Sequence, residues 1–432
     1  MPIDFDKLEK SSRLLMEVPL RPLQGDRFQP TGFPDLDAGR YTLPDGTEML
    51  LVESAQSVAN RMELACWDDT NDDLIPELKG LPFVRIDCGE LGKTNTLKEF
   101  HRLNSPYIWE GRETGESKKF REAFMSDLGL KPTQKRKKKD DEEDDEADVP
   151  GVLDFRKFYR AVFRWDPNSV IHGVFLEKVA GRLRMSRALS GFIEATEVRP
   201  AESGGTKFDH ILPSPKVIGL DAKTGYGNVP FHRTEFVGKI KAYFNLDLAL
   251  LRGYGLGENA TRLLIALALF KIRRFLSTGL RLRTACDLKP ESEEMSITQP
   301  IGFTVPPEKE LLAECKRLID ACAEAKLFAD ALGVKWEAVA TAKSTVDLPA
   351  GTPEPSIPED LKKSVKFKRG TSRKAPQLTF PRGLAADLAE KTKALFAAAP
   401  EVCKAIDDAL RQVLESSESV KHKSDQDEES QE

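Results

Sequence analysis

The chain has 432 residues, 40% hydrophobic and 31% charged, with a formal net charge of −5. That balance belongs to globular proteins and excludes wholesale disorder. The longest apolar run, Leu263 to Phe270, falls far short of the ~20 residues of a membrane span, and the charged start MPIDFDKLEK carries no secretory pattern. A cytoplasmic protein is expected, with one large core bearing insertions or two to three packed units.

In chain order, EMLLVES reads as a strand, AQSVANRMELACWD as a helix and PFVRIDC as a second strand, a βαβ-like unit. TLKEFHRL and FREAFMSDL read as short helices. The stretch 131–151, a basic block followed by DDEEDDEAD, has almost nothing to bury and reads as a solvated or disordered insertion. VLDFRKFYRAVFRW has helical spacing, SVIHGVFLEKVAG continues it, and ALSGFIEATEVRP alternates like a strand. A second unit follows: EFVGKIKAYFNLDLALLRGYG as strand, NATRLLIALALFKIRRFLSTG as a helix ending at Gly279, LRLRTACDL as strand. Two strand–helix–strand passes are what a ferredoxin-like core shows. The remainder reads as helical around a Pro-rich, basic linker. In ELLAECKRLIDACAEA, the residues Leu311, Cys315, Leu318, Ile319 and Cys322 share one face.

The expected organisation is therefore residues 1–130 and 152–290 as the two parts of a core, split by the 131–151 insertion. A helical region 291–345, a linker 346–382, a helix 383–415 and an acidic tail 416–432 follow.

Charge is unevenly spread, and binding depends on local patches rather than totals. From Arg156 to Arg199 there are nine Lys/Arg against four Asp/Glu, and from Phe231 to Lys289 eleven against four. Arg182, Arg184 and Arg187 crowd into GRLRMSRALSGF at a helix-to-strand junction. Single arginines usually cap a helix end. Three in six residues, beside Lys271, Arg273, Arg274, Arg281 and Arg283, favour a surface for phosphates, which positions a nucleic-acid backbone without reading sequence.

Enzymatic motifs are scarce. The six cysteines form no C-x-x-C pair and read as reduced, buried small hydrophobes. The five histidines show no metal-ligand spacing, so no metal is expected. In CGELGKT, Asp87 stands where a phosphate loop needs glycine, and the stretch reads as a turn. KTGYGN is either a finger that lays Tyr226 on a base or a plain hairpin tip.

RFQPTGFPDLDAGRY (27–41) and LLVESAQSVANRMEL (50–64), followed by HGVFLEKVAGRLRMSRALSGFIEA and PSPKVIGLDAKTGYGNVPFHRTEF, resemble the backbone subunit of type I-G (formerly I-U) CRISPR effector complexes. That subunit belongs to the repeat-associated mysterious protein superfamily. The resemblance implies an α+β fold, with a ferredoxin-like, modified RNA-recognition-motif core, inserted palm and thumb regions, and C-terminal helices. It implies a subunit without cofactor or catalysis that lines up with other copies of itself along a CRISPR guide RNA. The guide then pairs with target DNA, and the large and repeat-processing subunits of the Cascade complex are further partners. Carried onto this chain, the RNA contacts would be Arg27, Gln56, Asn60, Arg61, Arg182, Arg184 and Arg187. Lys216, Lys223 and Tyr226 would lie on the thumb, with His232 and Arg233 beside it. The chain departs from ordinary RNA-recognition motifs in lacking alternating sheet aromatics, so few base contacts are expected. Two other readings stay open: a guide-processing ribonuclease with His172, His210 or His232 as general base, and a nucleotide-binding regulator using CGELGKT.

Overall fold

The computed structural model describes residues 2–33, 37–88, 92–113, 119–130, 153–177, 179, 183–208 and 228–329, and the backbone of four short strands beyond them. The chain divides into two units, Met1–Trp336 and Glu337–Glu432.

The first unit is built on an eight-stranded sheet in which every pairing is antiparallel. Its strands are β1 (Arg13–Pro22), β2 (Arg40–Thr42), β3 (Glu48–Glu53), β4 (Leu189–Pro200), β5 (Phe236–Asp247), β6 (Arg281–Arg283), β7 (Cys286–Pro290) and β8 (Ser296–Gln299). They run in the order β6-β7-β1-β5-β4-β3-β2, with β8 also pairing β1. Period-two alternation decides which face is buried. Leu14, Met16, Val18 and Leu20 of β1 lie inside with Ile240, Ala242, Phe244 and Leu246 of β5, while the residues between them stay half-buried or exposed.

Helices α1 (Ala55–Leu64), α2 (Phe155–Trp165), α3 (Pro167–His172), α4 (Glu258–Thr278) and α5 (Glu308–Glu324) accompany the sheet. Helix α4 is buried on nearly every side from Ala260 to Leu276, as its all-round apolar sequence requires. Phe275 of α4 meets Phe244 of β5 edge-on, with ring centroids 6.2 Å apart. Helix α5 packs on α4 through the face read from its spacing: Leu311, Cys315, Leu318, Ile319 and Cys322 are all buried. Cys66 and Cys286 are also buried, Cys88 is half-buried, and Cys403 lies outside the described residues.

Several expectations are corrected. The strand of PFVRIDC is only Arg85–Asp87 and sits in a separate four-stranded sheet, so it closes no βαβ unit with β3 and α1. TLKEFHRL is not a helix: Asn95 Oδ1 accepts from the backbone of Leu97 and Lys98, holding an Asx-type turn that leads to a short 3₁₀ turn at Arg102–Asn104. The helix read through SVIHGVFLEKVAG stops at His172, where Gly173 takes φ +79°. Val174–Leu176 then pairs with Leu183–Met185, so the arginine-rich run occupies a hairpin arm rather than a helix end. Strand β5 ends at Asp247, whose carboxylate caps the helix Leu248–Gly253. LRLRTACDL splits into β6 and β7 around Ala285 at φ +59°.

In the second unit, Ser344–Leu348 pairs parallel with Val365–Arg369 and antiparallel with Leu378–Thr379. These strands fall where a linker was expected, and VKFKR does carry the period-two alternation of a strand. The insertion 131–151, the helix 383–415 and the tail 416–432 lie outside the described residues. Among the described residues no helix is long and apolar enough to cross a membrane.

Truncating Phe275 to Ala removes the ring that seats α4 on β5. Unfolding in urea is expected to show a loss of ~3–5 kcal/mol; a loss under ~1 kcal/mol would mean α4 is held elsewhere.

Candidate nucleic-acid interface

Ser54 caps α1, its Oγ accepting from the Ser57 N–H at 3.3 Å. Against this first turn lies Arg187, half-buried. Its Nη1 donates to the Ala55 carbonyl at 2.8 Å, its Nη2 to Gln56 Oε1 at 3.1 Å and its Nε to the His172 carbonyl at 3.4 Å. No carboxylate pairs with it among the described residues. A guanidinium is thus held at the positive end of a helix dipole, where an anion is the favoured neighbour. Burial, and then the Arg102 guanidinium, hold the Arg187 pKa below its ordinary value, with Glu63 opposing.

Arg184 stands nearby on the strand Leu183–Met185, exposed, with its guanidinium 4.8 Å from the Phe175 ring centroid. Gln56 is exposed and donates to Asn60 Oδ1 at 3.4 Å. The structure therefore gathers Gln56, Asn60 and Arg187 together, with Arg184 three residues before Arg187 on the preceding strand.

The other residues are placed differently. Arg61 bonds to Glu53 Oε1 at 3.3 Å and to the backbone carbonyls of Arg281 and Leu282, tying α1 to β3 and β6. Buried Glu53 also receives Ser57 and Arg283, so Arg61 is committed within the chain. Arg27 pairs with Glu235 at 3.5 Å beside a cavity of about 310 Å³ lined by Leu23, Asp26 and Asp287. His232 and Arg233 lie on an exposed ribbon of Ser203–Lys207 and Val229–Arg233, His232 being 3.6 Å from Glu202 and Arg233 standing over Phe231. Arg182, Lys216, Lys223 and Tyr226 lie outside the described residues, as does His210.

The second basic cluster expected at a phosphate surface is mostly spent inside. Arg273 donates to the carbonyls of Glu293, Val305 and Pro306, Arg274 pairs with Glu308 at 2.9 Å, and Lys271 is fully buried. Arg273 and Arg274 thus meet α5 and its lead-in, and Lys271 meets His172 of α3, contacts no local pattern reveals. CGELGKT spans two antiparallel strands, Arg85–Asp87 and Lys93–Asn95, and lacks the helix that a phosphate loop feeds. The sheet does bring two aromatics together: Phe192 of β4 and Tyr243 of β5 are cross-strand partners with stacked rings 5.1 Å apart. Each ring covers a face of the other.

Behind Arg187 is a buried ionic cluster. Arg102 donates to both oxygens of Glu63 at 2.7 Å and to the Gly173 carbonyl at 3.3 Å. Lys271 Nζ lies 2.9 Å from His172 Nε2. Asp166 accepts from Ser169 Oγ at 2.7 Å and from the Asn168 N–H at 3.0 Å. Burial, then Lys271, Arg102 and Arg187, push the His172 pKa well below 6.5. Its Nε2 is engaged and its ring lies out of reach of solvent, an unsuitable setting for a general base. The folded imidazole stays neutral where the unfolded one takes a proton, so the unfolded state binds more protons and stability present above pH ~6.5 is lost as pH falls. The urea midpoint is expected to drop between pH 7.5 and 5.5, and to drop less in His172→Gln; equal slopes would remove His172 as the cause.

Residues 14–200 match the family described as CRISPR-associated protein GSU0053, a span that includes Arg27, Gln56, Asn60, Arg61, Arg184 and Arg187. No curated protein matches the chain. Among solved structures, a chain of "CRISPR RNA-guided surveillance complex, pre-nicking" is 15% identical with a TM-score of 0.36, covering 89% of this chain and 100% of that one. Csc2 of Thermofilum pendens is 9% identical with a TM-score of 0.26, covering 75% of this chain and 82% of that one. At such scores neither defines a shared fold. It is the family match that bears out the likeness read from the sequence: over residues 14–200 this chain resembles the CRISPR-associated proteins of that family.

Proposed function

We propose that this chain is a non-catalytic, RNA-binding backbone subunit of a type I CRISPR effector complex, gripping guide-RNA phosphates so that the bases pair with target DNA. The observation that carries the reading is Arg187, a cation with no carboxylate partner among the described residues, held against the first turn of α1, with exposed Arg184 three residues before it in the chain. A backbone phosphate satisfies both and neutralises the converging positive fields. Contacts of this kind are sequence-tolerant, leaving specificity to base pairing.

The strand order β7-β1-β5-β4, with α1 between β1 and β4 in sequence and α4 between β5 and β7, supports a ferredoxin-like core. The ribbon of Ser203–Lys207 and Val229–Arg233 supports an inserted thumb, since none of its residues is buried and its strands flank the segment carrying Lys216, Lys223 and Tyr226. On this reading the partners are the guide RNA, other copies of the chain and the remaining Cascade subunits, in the cytoplasm. The ribonuclease alternative finds no support at His172, which is buried against Lys271.

Fluorescence anisotropy with guide-length RNA over a KCl series tests the reading. Arg184→Gln combined with Arg187→Gln should weaken binding alike for unrelated sequences and flatten the log–log salt slope by about 1.4, about 0.7 per phosphate contact on a single strand. Arg184→Gln alone, at an exposed position, should give about half that change without touching the fold. Unchanged affinity, or loss for one sequence only, would overturn the interface. Cleavage of labelled repeat RNA by the pure protein would replace it with the ribonuclease.

A further inference from the structure

Helix α2 carries a second charge pattern that the interface above does not use. Its buried side holds Phe158, Ala161, Val162 and Trp165, while Arg156, Lys157 and Arg160 are exposed. Arg156, Arg160 and Arg164 stand at i, i+4 and i+8, one stripe of like charge along the helix. Such pairs repel and weaken a helix unless anions lie between them. Arg164 has Asp127 at 3.7 Å. Arg156, Lys157 and Arg160 have no carboxylate partner among the described residues, and Asp154 is occupied by capping the Arg156 N–H at 2.9 Å.

Aromatic rings lie within this basic stripe. Phe155 is 52% exposed among the described residues and offers a ring face beside the cations. Its centroid is 6.2 Å from that of Tyr159, which in turn lies 4.5 Å from Tyr254. The Tyr254 hydroxyl donates to the Ser186 carbonyl at 3.1 Å, one residue from Arg187. Tyr254 is buried, so these rings form an internal link from α2 to the backbone beside Arg187. The Arg156 guanidinium rests over Gly255, where a Cβ would fall 1.6 Å from Nη1. Glycine there leaves it room.

We infer that the exposed face of α2 is a second contact for single-stranded nucleic acid, in which Arg156, Lys157 and Arg160 take phosphates and Phe155 stacks a base. The inference extends the proposed RNA-binding role but rests on different residues. Charge complementarity selects a polyanion, and an exposed ring among cations selects one with unpaired bases. A guide RNA continuing past Arg187 and a separate DNA strand offer the same chemistry.

The test compares the full chain with Arg156→Gln plus Arg160→Gln, with Phe155→Ala, and with Arg184→Gln, after confirming equal unfolding midpoints. Each is titrated with labelled single-stranded RNA and single-stranded DNA of one sequence across a KCl series. The double arginine variant should flatten the salt slope by about 1.4. Phe155→Ala should weaken binding about 5- to 150-fold, the effect of losing one base–aromatic stack, with the slope kept. Loss on RNA assigns α2 to the guide; loss on DNA alone assigns it to a DNA strand. If the α2 variants bind both strands as wild type does while Arg184→Gln is weakened, the α2 contact is overturned and the proposed function stands. Weakened α2 variants with Arg184→Gln unchanged would support the α2 contact and overturn the interface at Arg184. A wild type that binds neither strand would overturn both.

Discussion

A lysine shut away from water on the longest helix among the described residues sets much of the arrangement around it. Lys271 is fully buried in α4 because that helix is enclosed on nearly all sides by the sheet, α1, α3 and α5. Taking a cation out of water costs several kcal/mol unless other groups replace its solvation. Burial does lower the Lys271 pKa, and Cys66, Glu63 and Asp166 work against that shift. His172 supplies the direct hydrogen bond. The two acids come from α1 and from the cap of α3, so compensating one lysine fixes three helices against one another. Arg102, at φ +51° in the turn after Asn95, completes the cluster by gripping Glu63. A specific network of this kind defines position more than it adds stability.

Charge on the rest of the first unit divides sharply into paired and unpaired groups. On the sheet face away from the core, Lys241 meets Glu17 at 2.9 Å, Arg13 meets Asp247, and at the edge Lys239 meets Glu197 at 2.6 Å. Phe192 and Tyr243 stack on each other there. The central strands of that face thus pair their charges and rings internally, while on β1 and β7 Arg21 faces Lys289 with no carboxylate partner among the described residues. Cations of the same kind also stand at the start of α1, on the arm carrying Arg184, and along α2. Stacking of Phe192 on Tyr243 differs from an RNA-recognition motif, which stacks bases on its open sheet. Local groups of uncompensated positive charge attract polyanions without regard to their sequence.

Sequence patterns carried the regular elements well. The alternation of ALSGFIEATEVRP, the spacing of FRKFYRAVFRW and the all-apolar stretch from Leu263 to Phe270 each matched the element formed, because each depends on the local period of buried side chains. The misses lie where one residue outweighs the period. Asn95 captured two backbone N–H groups and replaced a helix with a turn, and Gly173 and Ala285 reversed the chain inside stretches read as continuous. For the candidate site, clustering singled out Arg184 and Arg187 but offered no means of separating them from Arg61, Arg273 and Arg274.

What the sequence by itself determined is the set of long strands and helices, the faces they bury, the uneven distribution of charge, and the likeness to a CRISPR-associated family. Those properties live in short windows and in composition. Tertiary structure alone decided which cations are free. Whether an arginine meets a carbonyl, a carboxylate or solvent depends on residues as far as 254 positions away, as Arg283 and Gln29 show. Among the described residues Arg187 meets no carboxylate, because packing sets it against the Ala55 carbonyl and Gln56 at a helix N-terminus. Pairing of charge is a property of long-range packing, and no local periodicity encodes it.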